Sequence, residues 1–259
     1  MQSNILYGII VAMIVIFLLV IGIALVVVLA RKQHVTHELK VSKMELASLR
    51  GQMNPHFIFN CLKSIKVLTE QNNAVEASLY LSKFSRLMRN ILEQSRDEES
   101  ILAKEIETLE LYLEMESLRV KEKMTWSINI QEGLDIDFIK IPSLLIQPYV
   151  ENSIWHGIMH LEGDGKLSIN LKYEPKTDTL IIEVIDNGIG REKSAIINAT
   201  KMNKPQSLGT KINQERIELI NYKPGVTASV DIQDLTNAVQ KTSGTMVTIR
   251  FSGKGSEEY

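Results

Sequence analysis

Three scarcities in the 259-residue sequence exclude several classes of protein. A single cysteine, Cys61, excludes an intrachain disulfide and a zinc site built from several cysteines, and it fits a reducing compartment. The formal net charge is only −2, so the chain lacks the basic excess typical of nucleic-acid-binding proteins. Charged side chains are also absent before Arg31. The sequence therefore predicts a charged chain behind an apolar N-terminus, with no direct contact to nucleic acid.

The apolar N-terminus has the length of a membrane span. Residues 5–30 carry no charge, and as a helix they would be about 39 Å long, enough to cross a hydrocarbon core of about 30 Å. Arg31 and Lys32 follow at once, so the positive-inside rule places the rest of the chain in the cytoplasm. A cleaved signal peptide is disfavoured because a basic n-region is missing and the apolar run is too long. We expect a single-pass anchor in the inner (cytoplasmic) membrane, with residues 1–4 outside.

Helical patterns follow the predicted span. Residues 31–53 space their apolar side chains by three and four, which predicts a juxtamembrane helical linker with a short coiled-coil seam. Asn54-Pro55 then favours the start of a helix. Three amphipathic helices are predicted at 56–69, 73–95 and 100–121. They bury their faces against each other or against a second copy, so we expect residues 54–121 to form a helical dimerisation region.

Strand patterns dominate after residue 123. The predicted strands are 124–130, 166–174, 179–186, 226–235 and 244–251, and the predicted helices are 141–160 and 208–221. A polar, lid-like stretch covers residues 190–207. Because the strands are mainly hairpin neighbours, this order predicts a two-layer α/β sandwich over residues 122–255, followed by a tail at 256–259. The chain as a whole is thus expected to be membrane-anchored, first α and then α+β.

The first of three clusters that could carry chemistry is MNPHFIFN, residues 53–60. His56 falls in the first turn of a predicted helix, and Asn60 lies one turn further on the same face. A neutral imidazole can accept a phosphoryl group near pH 7. A histidine packed at the start of a helix is the structural alternative.

The second cluster is QPYVENSIWHG, residues 147–157. Glu151 and Asn152 stand side by side among apolar neighbours, where a helix that faces a core has no need of polar groups. Amide and carboxylate oxygens are suitable ligands for Mg²⁺ that carries nucleotide phosphates. The alternative is a pair of polar residues on the solvent face.

The third cluster is DNGIG, residues 186–190, followed by SLGT at 207–210. Gly188 and Gly190 would let the backbone approach a ligand, and Asp186 could accept a hydrogen bond from an exocyclic amine such as that of adenine. A simple tight turn would also explain the glycines. A Walker-type phosphate loop and the H-R-D and D-F-G kinase motifs are missing, so other nucleotide-binding folds lose support.

Together and in this order, the clusters resemble the LytS-like family of bacterial sensor histidine kinases over about residues 46–251. The segment NPHFIFN is similar to the family's phosphoacceptor box, QPYVENSIWHG to its N box, DNGIG to its G1 box and SLGTKINQERIELI to its G2 region. The segment SGTMVTIRF resembles the closing strand of the Bergerat-type (GHKL) ATPase fold. The resemblance therefore implies an ATP-binding catalytic domain after a phosphoacceptor region.

The resemblance also implies roles for single residues. His56 would receive the γ-phosphoryl group of ATP, with Asn60 beside it. Asn152 would bind Mg²⁺ through the nucleotide, with Glu151 as a neighbouring helper. Asp186 would accept the adenine amino group. The remaining nucleotide contacts would come from Thr245 and from the flexible backbone at Gly188, Gly190 and Gly209.

At the level of the system, the resemblance implies a homodimer that phosphorylates itself on His56 and passes the phosphoryl group to an aspartate of a response regulator. The sequence contains no recognisable receiver domain, so the regulator would act in trans. In this family it is often of the LytTR type, and contact with DNA would belong to that partner.

Three features support alternatives: one differs from the commoner type of histidine kinase, and two differ from the family pattern. Phe57 follows His56 where the commoner histidine kinases have an acid, Trp155 stands where the family often has lysine, and Ser207 stands where the G2 region often begins with glycine. These departures leave open an ATP-binding pseudokinase that signals by conformation. Glu151 beside Asn152 leaves open a Bergerat-type ATPase that forms no phosphohistidine.

Overall fold

The computed structural model describes residues 55–71, 73–120, 123–200, 214, 217–222, 225–236 and 242–253, together with Leu19 and Gly22. The chain divides into two compact units, Met1–Ser48 and Leu49–Tyr259, and the architecture given below belongs to the second. The predicted membrane span and juxtamembrane linker lie outside the described residues, apart from Leu19 and Gly22. Within the part of the chain that is described, no helix combines the length and the apolar character needed to cross a membrane.

Three helices open the second unit: α1 (Pro55–Glu70), α2 (Ala74–Gln94) and α3 (Leu102–Arg119). Proline at the first position of α1 costs no hydrogen bond, because the first backbone N–H groups of a helix have no partner inside it. Asn73 caps α2, since its side chain accepts a hydrogen bond from the backbone N–H of Glu76 at 3.3 Å. The three predicted helices are therefore confirmed within a few residues.

Helix α3 lies between the first two helices and the α/β part of the unit. On one side Lys83 of α2 forms an ion pair with Glu114 at 2.7 Å. On the other side the buried carboxylate of Glu105 accepts a hydrogen bond from the backbone N–H of Ile146 at 2.5 Å. Because both sides are covered, most of the helix is buried: Leu102, Glu105, Ile106, Thr108, Leu109, Leu111, Tyr112, Leu113, Met115 and Glu116.

The α/β part is built on a five-stranded sheet. Its strands are β2 (Met124–Ile130), β4 (Gly165–Glu174), β5 (Thr179–Asp186), β6 (Val226–Thr236) and β7 (Thr242–Gly253), in the order β2-β4-β5-β7-β6. Only β2 and β4 run parallel, and the other neighbours are antiparallel. The five predicted strands are confirmed, and two of the four neighbouring pairs, β4-β5 and β6-β7, join consecutive antiparallel strands as predicted.

Helical segments accompany this sheet. They are α4 (Gln147–Asn152), a π-helical turn (Ser153–Gly157), a 3₁₀ turn (Ile158–His160) and α5 (Gly190–Thr200). The described part of the helix predicted at 208–221, residues 214 and 217–220, is helical. Apolar side chains on alternate residues of β4 and β5 form one face of the core, together with α4 and the π-turn: Leu167, Ile169, Leu171, Leu180, Ile182, Val184, Val150 and Ile154.

One prediction about the helices is wrong, and one stretch for which no element is predicted contains a helix. The helix predicted at 141–160 begins only at Gln147, because Lys140–Pro142 forms a strand, β3, that pairs with Glu99–Ile101, β1. Leu144 then adopts a φ of 54°, so the chain turns before the helix starts. The stretch predicted as a lid at 190–207 contains α5 over its first eleven residues. Its sequence, GREKSAIINAT, is polar but composed mostly of residues that a helix tolerates, with Glu192 in the favourable first turn.

Candidate active site

Asp186 occupies a core position at the end of β5. Alternate residues of this strand, Leu180, Ile182 and Val184, point into the core, and the same alternation brings Asp186 to the same face. Its side chain is only 2% exposed. A carboxylate at a position that suits an aliphatic side chain is costly to bury, so a function that needs it is the simplest explanation.

Three donors surround the Asp186 carboxylate. The backbone N–H of Gly188 donates to its Oδ1 at 2.8 Å, and the hydroxyl of Ser153 and the backbone N–H of Thr245 donate as well. Burial raises the pKa of Asp186 above its ordinary value, and these three hydrogen bonds oppose that rise because they stabilise the charged form. The carboxylate is thus held in a fixed orientation and keeps capacity to accept a further hydrogen bond.

Glycines crowd the same carboxylate. A Cβ added at Gly188 would lie 2.5 Å from the backbone of Gly157 and 2.7 Å from Asp186 Oδ1. A Cβ at Gly157 would lie 2.9 Å from the same oxygen. At Gly244, with a φ of 146°, a Cβ would meet the backbone carbonyl of Asp186. Backbone from three segments therefore approaches Asp186 more closely than side-chain-bearing residues would allow.

Thr245 lies on β7 in register with two aspartates. It pairs with Asp186 on β5 and with Asp234 on β6. Asp234 is held by Arg191, whose Nε and terminal nitrogen donate to its two carboxylate oxygens at 3.0 and 2.8 Å. This pair lowers the pKa of Asp234. The ion pair also joins the start of α5 to the edge strand β6. Arg191 directly follows Gly190, which has a φ of 76°.

Glu151 and Asn152 end helix α4, and both are half-buried. Burial raises the pKa of Glu151 to about 7, a hydrogen bond from Gln147 Nε2 at 2.9 Å opposes the rise, and the neighbouring carboxylate of Glu116 adds to it. The helix does not simply end after Asn152, because the next five residues form a π-turn, a feature common at functional sites.

The raised pKa of Glu151 predicts a pH-dependent stability. Between about pH 4.5 and pH 7 the folded chain keeps a proton that the unfolded chain has released, so Glu151 makes the free energy of unfolding fall as pH rises through this window. The neutral isostere in Glu151→Gln avoids this loss. We expect the variant to be about 2 kcal/mol more stable than the wild type at pH 8 and to lose that advantage near pH 4.5.

Urea unfolding of both proteins at pH 4.5, 6 and 8 measures this difference. Glu162→Gln, at an exposed loop position, is the matched control and should follow the wild type. A difference between Glu151→Gln and the wild type that does not change with pH would contradict the assignment.

His56 is the second residue of α1, and Asn60 follows one turn later as a half-buried residue. The position of His56 in the first helical turn is as predicted. The next residue, Phe57, is buried and packs its ring against Tyr112 of α3, with 5.2 Å between the ring centroids. The departure at Phe57 is thus explained by packing between α1 and α3.

The site brings together part of the residues that the sequence predicts. Asp186, Gly188 and Thr245 lie in direct register or contact, whereas Gly209 lies outside the described residues. Sequence reasoning missed three contributors: Ser153, Gly157 and Gly244. Ser153 and Gly157 belong to the QPYVENSIWHG segment, and Gly244 directly precedes Thr245. Their closeness in sequence to predicted site residues is the signal that could have identified them.

This arrangement fits a purine nucleotide with its metal. Asp186 offers a fixed acceptor for an exocyclic amine, and the glycine cradle offers close backbone approach. Among the side chains that the structure describes, no group of three or more His, Cys, Asp or Glu residues could hold a metal ion. Asn152 offers an amide oxygen and Glu151 a carboxylate, which are the kinds of ligand that Mg²⁺ accepts in nucleotide sites.

Comparison with known proteins shows that the chain is similar to histidine kinases. Residues 44–124 match the protein family described as "Histidine kinase". The chain is 35% identical over 190 residues to the sensor protein LytS of Oceanobacillus iheyensis, which covers 70% of this chain and 31% of that protein. It is 36% identical over 130 residues to the sensor histidine kinase YpdA of Escherichia coli K12, which covers 50% of this chain and 22% of that protein. The chain thus spans about a third or less of the length of these two relatives.

A solved structure gives a weaker likeness. The histidine kinase domain of the blue-light activated histidine kinase EL346 from Erythrobacter litoralis has a TM-score of 0.41 and 13% identity to this chain, over 81% of this chain and 94% of that one.

Proposed function

We propose that the chain is a sensor histidine kinase of a two-component system, because residues 44–124 match the histidine kinase family and the chain is similar to LytS and YpdA. It would phosphorylate itself on His56 with ATP and pass the phosphoryl group to an aspartate of a separate response regulator. The observation that carries the proposal is the environment of Asp186, a buried carboxylate held by three donors inside a glycine cradle. The Asp186 carboxylate lies in the same compact unit as the helix that contains His56.

The residues of the site divide the work of nucleotide binding. Asp186 would accept the adenine amino group, and Thr245, next to it in register, would contact adenine directly or through water. Gly188, Gly190 and Gly209 would let the backbone follow the nucleotide. The ATP-binding part, residues 122–255, would therefore be of the Bergerat (GHKL) type, whose catalysis depends on positioning and charge neutralisation more than on covalent chemistry.

Phosphoryl transfer would involve the other residues of the site. Bound ATP with Mg²⁺ supplies the γ-phosphoryl group. An imidazole nitrogen of His56 would form a bond to the γ-phosphorus while the bond from that phosphorus to the β–γ bridging oxygen breaks and ADP leaves, and Asn60, on the same helix face, would orient the ring. Asn152 would hold Mg²⁺ by its amide oxygen, and Glu151, with a pKa near 7, could exchange a proton at physiological pH.

An apolar surface on α1 and α2 supports a homodimer. Large apolar side chains stand exposed along both helices, up to 70% for Phe59 and 81% for Val75. The other members are Leu62, Val67, Leu79, Leu81 and Leu92. We infer that residues 54–121 are the dimerisation region and that a second copy covers these side chains, since exposed apolar patches often mark sites of protein–protein interaction.

The remaining parts of the proposal rest on the sequence. Residues 5–30 would anchor the protein in the inner membrane, and residues 31–53 would connect that anchor to the kinase in the cytoplasm. The response regulator would be a LytTR-type protein that acts in trans, and it would carry any contact with DNA.

Labelling with ATP tests the proposed function. The protein in a membrane or detergent environment is incubated with Mg²⁺ and with ATP that carries the label on either the γ- or the α-phosphate. We expect covalent label only from the γ-phosphate, lost in acid and retained in base, as a phosphoramidate requires. Bound ATP without covalent label would favour the pseudokinase, and steady phosphate release without label would favour the Bergerat-type ATPase.

A further inference from the structure

Three aromatic side chains form a continuous contact from α1 to the end of α4. Phe57 packs against Tyr112 with ring centroids 5.2 Å apart and planes inclined by 43°. The indole Nε1–H of Trp155 then donates a hydrogen bond to the Tyr112 hydroxyl at 3.1 Å. Tyr112 is 1% exposed, so its hydroxyl depends on protein partners. Loss of the hydrogen bond from Trp155 would therefore leave the buried hydroxyl of Tyr112 without one of its partners, which is energetically costly.

Arg119, which forms an ion pair with Glu116, contacts the face of the Trp155 ring. The guanidinium carbon of Arg119 lies 4.4 Å from the centroid of the Trp155 ring, within the range of a cation–π contact. Arg119 in turn donates through Nε to the carboxylate of Glu116 at 2.8 Å, and Glu116 is fully buried. Because Tyr112, Glu116 and Arg119 all belong to α3, this one helix fixes both the edge and the face of the indole.

The two ends of this contact are close in sequence to residues that the proposed reaction uses. Phe57 directly follows His56 on α1, and Trp155 follows Asn152 by three residues in the π-turn. The π-turn changes the direction of side chains relative to a continued α-helix, so Trp155 meets α3 from a position that α-helical spacing does not give. Trp155, which stands where the family often has lysine, thus joins α3 to the ATP-binding part.

We propose that the Tyr112–Trp155 contact is a positioning joint, which fixes the separation between His56 and the nucleotide bound at Asn152 and Asp186. This inference deepens the proposed function and rests on it. In this proposal Tyr112 and Trp155 act through the backbone next to them and not by contact with the phosphoryl group or the nucleotide. Since a displacement of about 1 Å can lower a transfer rate about 100-fold, a joint of this kind would affect turnover more than nucleotide binding.

Two conservative variants and their combination test the joint. Tyr112→Phe removes one oxygen and keeps the ring against Phe57, and Trp155→Phe removes the indole N–H and keeps a ring near Arg119. We expect each to lower the rate constant of autophosphorylation at least tenfold, with KM for ATP within twofold of wild type. The double variant should be no slower than the worse single one, because both changes break the same hydrogen bond. Trp126→Phe, at the other tryptophan, on β2, is the matched control and should retain the wild-type rate.

Hydrogen–deuterium exchange gives a readout that does not need activity. In Tyr112→Phe we expect protection to fall together in the first turns of α1 and in the π-turn, while β4 and β5 remain as protected as in the wild type. Unchanged rates, a loss confined to KM, additive effects or unchanged exchange would each overturn the joint. A wild-type protein that binds ATP without becoming labelled would instead overturn the proposed function, and the exchange data would still decide on the joint.

Discussion

Replacing His56 by alanine is expected to abolish covalent labelling from γ-labelled ATP and to leave ATP affinity within about twofold of wild type. The expectation follows from the separation of roles. His56 belongs to the first turn of α1, whereas the proposed adenine and Mg²⁺ contacts come from β5, β7 and α4. Removal of the acceptor thus removes the product without removing the binding site.

Labelling and equilibrium ATP binding are measured on the same preparation of His56→Ala. His160→Ala, in the 3₁₀ turn, is the matched histidine control and should be labelled like the wild type. A large loss of ATP affinity in His56→Ala would mean that His56 is a structural residue, in line with the alternative of a packed histidine at a helix start.

Asp186→Asn is expected to weaken ATP binding about 30-fold or more, which corresponds to about 2 kcal/mol. The carboxylate already accepts hydrogen bonds from Gly188, Ser153 and Thr245, and the proposed adenine contact adds a fourth donor. An amide offers one oxygen in place of two and turns an N–H₂ group toward donors. The variant therefore loses a buried charge-assisted hydrogen bond and gains an unfavourable contact between donors.

Fluorescent-nucleotide titration measures the affinity, and a circular dichroism melt establishes that the variant is folded. Asp231→Asn, an exposed change of the same chemistry on β6, is the matched control and should bind ATP like the wild type. If Asp186→Asn bound ATP with near-wild-type affinity, the adenine assignment would be wrong.

Much of the fold follows from local pattern. The period of the apolar residues fixes α1, α2 and α3, and alternation fixes the five strands of the sheet, so both could be predicted from the sequence. The pairing of β1 with β3 could not, because three-residue strands carry too little pattern and their pairing depends on the fold around them. The late start of α4 has the same origin, since residues 141–146 are apolar enough for a buried helix and for a strand that leads into a turn.

The site shows the same division between local and tertiary information. The motif segments identified Asp186, Gly188 and Thr245, which the sheet brings into register. The crowding of Gly157 and Gly244 against Asp186 was not predictable, because it depends on distances between segments that are far apart in the sequence. The contact of Trp155 with Tyr112 spans 43 residues and requires a π-turn, which sequence periodicity does not signal.

Location of the phosphoryl group in the wild-type chain tests the central claim most directly. The sequence contains five histidines, so labelling alone does not identify the acceptor. After reaction with ATP and Mg²⁺, the protein is digested at alkaline pH, where phosphohistidine survives, and the peptides are sequenced by mass spectrometry. The account predicts that the phosphoryl group is on His56. A phosphoryl group on another residue, or a chain that binds ATP and carries none, would contradict it.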